Sequence, residues 1–213
     1  MFIGHFGAGL AAKSLNKKIS LGTLILATQF IDLLWPILVL LKLEKVAIEP
    51  GNTSFTPLNF ISYPWSHSLF AVIIWALLFG IVYYFIKKDI KGSVILGALV
   101  ISHWLLDLFT HRPDLQIFPW LDFKAGFGLW NSVLFTIIIE GAIFIAGVYL
   151  FSRIREAKSA KYNIRFWSLI IFLSIVYLMN VFGPPPPTET EVAYTGLALW
   201  IFVAWGYWID KKE

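Results

Sequence analysis

Residues 92–111 read Gly92-Ser-Val-Ile-Leu-Gly-Ala-Leu-Val-Ile-Ser-His103-Trp-Leu-Leu-Asp107-Leu-Phe-Thr-His111. From Gly92 to Thr110 the stretch is apolar enough to cross a bilayer core, which takes about 20 helical residues. Its ionisable groups, His103, Asp107 and His111, recur at i, i+4 and i+8. That spacing puts all three on one helix face, drifting by roughly 40° per step. Ionisable side chains inside an apolar span are costly to keep. Imidazole and carboxylate together are the ligands a divalent metal takes. The stretch therefore predicts a membrane helix with one metal-facing side.

The rest of the chain extends this reading. Of its 213 residues, 58% are hydrophobic and 14% charged, against about 25% charged in a soluble domain. The expected fold is all-α: a polytopic membrane bundle of about six transmembrane helices over 19–43, 66–86, 92–110, 127–151, 164–182 and 193–209. Pro36 is expected to kink the first span, and Gly126 and Gly128 stand at the entry to the fourth. Residues 1–213 form one integral-membrane domain, with 1–115 carrying most of the candidate site and 127–213 supplying three further helices. Met1 to Ala12 is uncharged, rich in small residues and too short to span. It is either a re-entrant helix that packs closely inside the protein or an amphipathic helix lying flat on the membrane.

The chain has no cysteine, which excludes disulfides, thiolate metal sites and thiol nucleophiles. A net charge of +4 calls for no nucleic-acid partner. The N-terminus lacks the charged segment and cleavage site of a signal peptide, so no removal is expected. With both termini cytoplasmic in a bacterial-type inner membrane, all 17 basic residues fall inside except Lys42, Lys45, Arg112 and Lys124. The outer loops are then 44–65, 111–126 and 183–192, the last holding the stiff connector Pro184 to Pro187.

Helical rise from the nearest basic anchor gives each polar group a depth. Asp32, His103, Asp107 and Glu140 come out roughly 18–24 Å above the inner surface, and His67 and His111 near roughly 30 Å. His5, on a re-entrant helix, reaches roughly 18 Å. These groups share the outer half of the bilayer, as a cavity open to the outside would require. Ser66 is a candidate N-cap for the second span, which would hold His67 at a helix N-terminus and keep it neutral. Pro113 biases Arg112 away from helix, so His111 falls at a frayed end. Asp114 and Asp122 read as solvated loop residues, either of which could reach the cavity mouth, and Arg112 and Lys124 as the basic groups nearest that mouth.

The order of these elements resembles the YdjM-type family of metal-dependent hydrolases of bacterial inner membranes. The likeness covers roughly residues 1–115. It rests on His5-Phe-Gly-Ala-Gly-Leu-Ala-Ala, on Asp32, on Ser66-His67-Ser68, and on Ser102-His103-x-x-x-Asp107-x-x-Thr110. The family's Pro-Asp-x-Asp motif is reduced here to Asp32, and its Arg-Gly before the Thr-His-Ser element is replaced by Pro64-Trp65. That family is in turn distantly similar to the zinc-dependent phospholipase C and single-strand nuclease group, whose helical Glu ligand would correspond to Glu140.

The resemblance implies a hydrolase with one to three divalent ions, zinc by preference. His5, His67, His103, Asp107 and His111 would be the metal ligands. Asp32 and Glu140 would be general base or bridging ligand, and Arg112 and Lys124 would contact substrate. The expected substrate is a membrane lipid or lipid-linked ester, foremost a phosphoester, reached from the extracytoplasmic side. Two other readings stay open. Intramembrane Asp, Glu and His also mark ion- or proton-coupled transporters, although no internal repeat of the kind common in transporters is visible. The same cluster could instead bind a metal only to brace the bundle.

Overall fold

In a computed structural model the chain is described over residues 1–154 and 159–211. The basic residues Arg155, Lys158 and Lys212, assigned above to the inside, lie outside the described residues. The helices in chain order are α1 (Ile3–Ala12), α2 (Leu21–Thr28), α3 (Phe30–Leu40), α4 (Pro64–His67), α5 (Leu69–Lys87), α6 (Ile90–Thr110), α7 (Val133–Ile154), α8 (Ala160–Phe182), α9 (Glu189–Leu197) and α10 (Leu199–Asp210). A short 3-10 helix covers Leu129–Asn131. Among the described residues, five helical stretches are long and apolar enough to cross a membrane: α5, α6, α7, α8 and the run Glu189–Asp210. α2 and α3 together qualify as a sixth, bent by 55°. Large apolar side chains such as Leu77, Phe85, Leu134, Ile145 and Met179 are exposed on the outer faces. These apolar helices point to a membrane protein.

The helices meet in two apolar cores. Phe6 and Leu10 of α1 pack with Phe144 and Phe151 of α7, Phe166 and Leu169 of α8, and Phe202 of α10. Leu24, Ala27, Ile31 and Trp35 of the bent pair pack with Val72 and Ala76 of α5 and with Leu96, Val100 and Trp104 of α6. Two glycine crossings set how close the helices come. A Cβ on Gly147 would lie 2.1 Å from the Gly7 carbonyl oxygen, so α1 and α7 touch backbone to backbone. A Cβ on Gly206 would lie 2.8 Å from Gly22 Cα, and α2 and α10 cross in the same way. Small residues allow this approach where apolar burial alone gives helices no reason to associate. The small-residue N-terminal segment is thus an internal helix, with His5, Phe6 and Leu10 buried.

The bundle has two distinct ends. At one, Asn16 donates to Asp89 at 3.0 Å, and Asp210 accepts from the Leu21 amide. At the other, the Phe55 amide donates to the Trp130 carbonyl at 3.0 Å and Arg112 donates to Asn59. This second end carries strand structure that the helical reading did not anticipate. β1 (Lys45–Ile48) pairs antiparallel with β2 (Leu58–Ser62), and β3 (Leu115–Gln116) with β4 (Lys124–Ala125). Backbone polar groups in these segments need partners once half-buried, and short hairpins supply them.

Two further expectations are corrected. The first span bends at Gln29, not at Pro36, and α3 runs through Pro36 to Leu40. Thr28 causes the break locally. Its hydroxyl donates back to the Leu24 and Ile25 carbonyls, and its own carbonyl is taken by a side chain of α6 instead of the next helical turn. The second span starts later than expected, because α4 ends at His67 and Ser68, not Ser66, caps α5 by accepting from the Ala71 amide at 3.2 Å. His67 therefore ends a short helix and stands just before the N-cap of α5, not within its first turn.

Candidate metal centre

Five side chains from four helices converge. α1 brings His5, α3 brings Asp32, α4 brings His67, and α6 brings His103 and Asp107, with α2 supporting α6 from behind. His5 Nε2 lies 3.1 Å from Asp107 Oδ1, and His103 Nε2 lies 3.1 Å from Asp107 Oδ2. Asp32 Oδ1 lies 3.3 Å from His67 Nε2 and 3.5 Å from His103 Nε2. The His5 and His103 rings stack at 3.6 Å. The α-amino group of Met1 contacts the same Asp107 oxygen as His5.

The groups fit a metal ion. At metal–ligand distances of about 2.0–2.1 Å, neighbouring ligands of a tetrahedral ion stand about 3.3 Å apart. The separations here, 3.1 to 3.5 Å, bracket that value. Two overlapping ligand sets result, His5 with His103 and Asp107, and Asp32 with His67 and His103. His103 Nε2 is buried, faces both carboxylates and makes a well-formed hydrogen bond to neither, an unusual state for a polar atom. One imidazole nitrogen has one lone pair, so His103 serves one ion only. Any second ion would have to share the carboxylates of Asp32 or Asp107.

The surrounding residues fix which nitrogen is available. The Thr28 carbonyl accepts from His103 Nδ1 at 2.6 Å, so Nδ1 carries a proton and Nε2 is the nitrogen turned toward the carboxylates. His67 is set by a longer chain. The Ser66 hydroxyl donates to Glu44 Oε2 at 2.7 Å, so its oxygen accepts from His67 Nδ1, also at 2.7 Å. Glu44 accepts in addition from the Trp65 and Ser66 amides, each at 2.8 Å. Burial pushes the Glu44 carboxyl up from its ordinary value, with the Ser66 hydroxyl as the main opposing influence. Such outer partners orient metal ligands. Ser66→Ala is therefore expected to weaken metal affinity by about 10–100-fold while leaving the fold intact, as read by chelator competition.

His111 stands apart from the five. Its Nδ1 donates to Asp114 Oδ1 at 2.9 Å, which also accepts from the Tyr63 hydroxyl at 2.7 Å. The ring of Tyr63 lies 5.2 Å from that of His67 and 6.1 Å from that of His111, and so neighbours both. Burial lowers the His111 pKa, against Asp114, and pushes the Tyr63 hydroxyl well above its ordinary value. Asp114, expected in solvent, is buried, because Tyr63, His111 and Arg112 supply its partners. Asp122 is exposed, 3.5 Å from Lys124. Arg112 is held by Asp114 and Asn59. Neither basic residue belongs to either ligand set.

Glu140 faces the start of α1. Its Oε2 accepts from the Phe2 amide at 2.8 Å and the Gly4 amide at 3.4 Å, and Oε1 is buried without a partner. It thus serves as the cap that α1 lacks from its own side chains. Glu140→Gln keeps an acceptor oxygen and is expected to retain metal and thermal stability. Glu140→Leu leaves the buried Gly4 amide and the half-buried Phe2 amide unpaired, the former at a cost of about 1–3 kcal/mol, and should melt several degrees lower.

Sequence reading did not single out Thr28, Glu44 or Tyr63. Thr28 acts through its backbone, which no side-chain pattern reports. Glu44 sits in Lys42-Leu-Glu-Lys45, a charged run that reads as solvated. The chain matches no family model, curated protein or solved structure in the three comparisons. The likeness to inner-membrane hydrolases therefore rests on the quoted motifs alone.

Proposed function

We propose that this protein is a membrane-embedded, zinc-type metal-dependent hydrolase acting on a phosphoester of a lipid or lipid-linked substrate. The observation that carries the reading is His103 Nε2. It is a buried ring nitrogen that makes no well-formed hydrogen bond, aimed between two carboxylates and oriented by the Thr28 carbonyl. A divalent ion held there supplies Lewis acidity, polarising an ester oxygen and making hydroxide available near neutral pH.

The chain's own residues suggest the direction of approach. The side chains of His5, His67, His103 and Asp107 are at most 4% exposed, whereas that of Asp32 is 23% exposed. Substrate and water would reach the centre past Asp32, which is placed to take a proton as general base. His5, His103 and Asp107 form the closed side and exclude water. The basic ends of the helices support an orientation with both termini cytoplasmic, six spans, and α1 re-entering from the same side. The hairpin end would then open to the extracytoplasmic leaflet. The order His5, Asp32, Ser66-His67-Ser68, Ser102-His103 and Asp107 is in keeping with the YdjM-type resemblance.

The test is direct. Protein purified in detergent without chelator should carry stoichiometric zinc by elemental analysis and release phosphate from generic phosphodiester or phospholipid substrates. Asp32→Asn, which leaves the His5, His103 and Asp107 set intact, should keep the ion of that set and lose hydrolysis by about 100-fold or more, within the 10²–10⁴-fold attributed to general bases. Bound metal without any hydrolysis would instead support the bracing role, and no metal in the wild type would sink both.

A further inference from the structure

A second site lies at the opposite end of the bundle. There α2, α3, α5 and α10 leave an open groove of about 1540 Å³. That exceeds the roughly 300–1,000 Å³ of a pocket for a small molecule, and its walls face outward, where Leu78, Val82 and Ile86 are exposed. The lining changes character along its length. Phe30, Trp75, Phe79 and Val82 form the apolar part. Next come hydroxyls joined to one another, Ser20 to Thr23 at 2.7 Å and Thr23 to Tyr207 at 3.1 Å. At the mouth stand Lys18, Lys87, Lys88 and Lys211.

The two carboxylates at the mouth are already engaged. Asp89 accepts from the Gly92 amide and from Asn16, each at 3.0 Å. Asp210 accepts from the Leu21 amide and lies 3.6 Å from Lys13. The first contact, with the Gly92 amide, is the main reason the Asp89 carboxyl sits below its ordinary value. Lys18, whose charge also acts on Asp89, and Lys87 and Lys211 form no direct ion pair with a carboxylate among the described residues, and the lining lysines outnumber Asp89 and Asp210, so the mouth keeps a net positive charge.

We propose that this groove binds one anionic phospholipid from the leaflet at the lysine-rich end. Its acyl chains lie along Phe30, Trp75, Phe79 and Val82. Its glycerol esters meet the hydroxyls of Ser20, Thr23 and Tyr207, and its phosphate meets the lysines. The order of apolar, hydroxyl and ammonium groups along the groove is the order of chains, glycerol and phosphate along the lipid. A small soluble anion would leave the apolar part uncovered, and a zwitterionic lipid would gain less from the lysines. The site is separate from the metal centre and does not depend on the hydrolase reading.

Native mass spectrometry of the full chain in mild detergent tests this, with phosphatidylglycerol and phosphatidylcholine of matched chains as the probes. The wild type should retain one phosphatidylglycerol with at least roughly tenfold preference, since each lysine near an anionic group contributes several-fold. Lys18→Ser/Lys87→Ser/Lys211→Ser should bring the preference close to parity. Lys17→Ser/Lys91→Ser/Lys161→Ser, which removes the same charge outside the groove, should keep it. Val82→Trp, at an exposed wall position, should block retention without altering charge. Monodispersity and melting temperature check that each variant folds. The proposal is overturned by a wild type without preference or by equal losses in both lysine sets. It is also overturned if soluble glycerol phosphate at equal concentration displaces the lipid.

Discussion

Asp107→Ala is expected to leave the purified protein without stoichiometric metal and to reduce hydrolysis to background. Asp107 belongs to the first ligand set with His5 and His103, and its second oxygen also faces His67 of the other set. Oδ1 stands 3.1 Å from His5 Nε2, while Oδ2 stands 3.1 Å from His103 Nε2 and 4.0 Å from His67 Nε2. Alanine would leave three imidazoles around a space with Asp32 as the sole remaining carboxylate. The loss of affinity should exceed the 10–100-fold typical of an outer-shell change, so the variant can be told from Ser66→Ala by chelator competition. Asp114→Ala is the matched control. It removes a buried carboxylate from the neighbouring Tyr63–His111 cluster, which belongs to neither ligand set, and should keep the metal. Stoichiometric metal in Asp107→Ala would refute the centre as described.

Gly147→Leu should separate α1 from α7 and release the metal without touching a ligand. Even a Cβ at this position would stand 2.1 Å from the Gly7 carbonyl oxygen and 2.7 Å from Gly7 Cα. These are backbone atoms, which cannot rotate aside. Overpacking a core costs about 1–3 kcal/mol where side chains can adjust, and a backbone clash leaves less room to adjust. Moving α1 away moves His5 from Asp107 and the Phe2 and Gly4 amides from Glu140. Melting temperature and bound metal should therefore fall together. Gly141→Ala, on the same helix, tests the cause. Nothing lies within 4 Å of a Cβ there, so it should be neutral or stabilise by up to about 1 kcal/mol through helix propensity.

These two sites mark how far the sequence is legible. The span from Gly92 to Thr110 declared itself by length and apolarity, and α6 occupies it almost residue for residue. His103 and Asp107 were readable because helical spacing alone puts them on one face. His5 was ambiguous between a buried and a surface helix, and its burial depends on Gly147, far along the chain. His111 shares the spacing but caps the end of α6, where the chain turns away and pairs it with Asp114. Pro113 signalled that end. The hairpins at 45–62 and 115–125 escaped a reading tuned to helical length, because strands so short carry little periodic signal. Pro36 misled because the missing amide is only one way to open a helix. The hydroxyl and carbonyl of Thr28 opened it sooner, and only the position of His103 explains why.

The bend at Gln29 also has an electrostatic consequence. A continuous helix through residues 21–40 would keep its terminal partial charges at the two membrane surfaces. Interrupting it creates a half-helix that ends and another that begins within the bundle. The ending half offers a carbonyl, the negative pole, to a His103 N–H. The beginning half places Asp32 in its first turn, where the positive pole of the α3 dipole favours an anion. One interruption of the backbone thus presents the donor end of a dipole to a carboxylate and the acceptor end to an imidazole. It sets the polarity of two neighbouring ligands with no added charged residue.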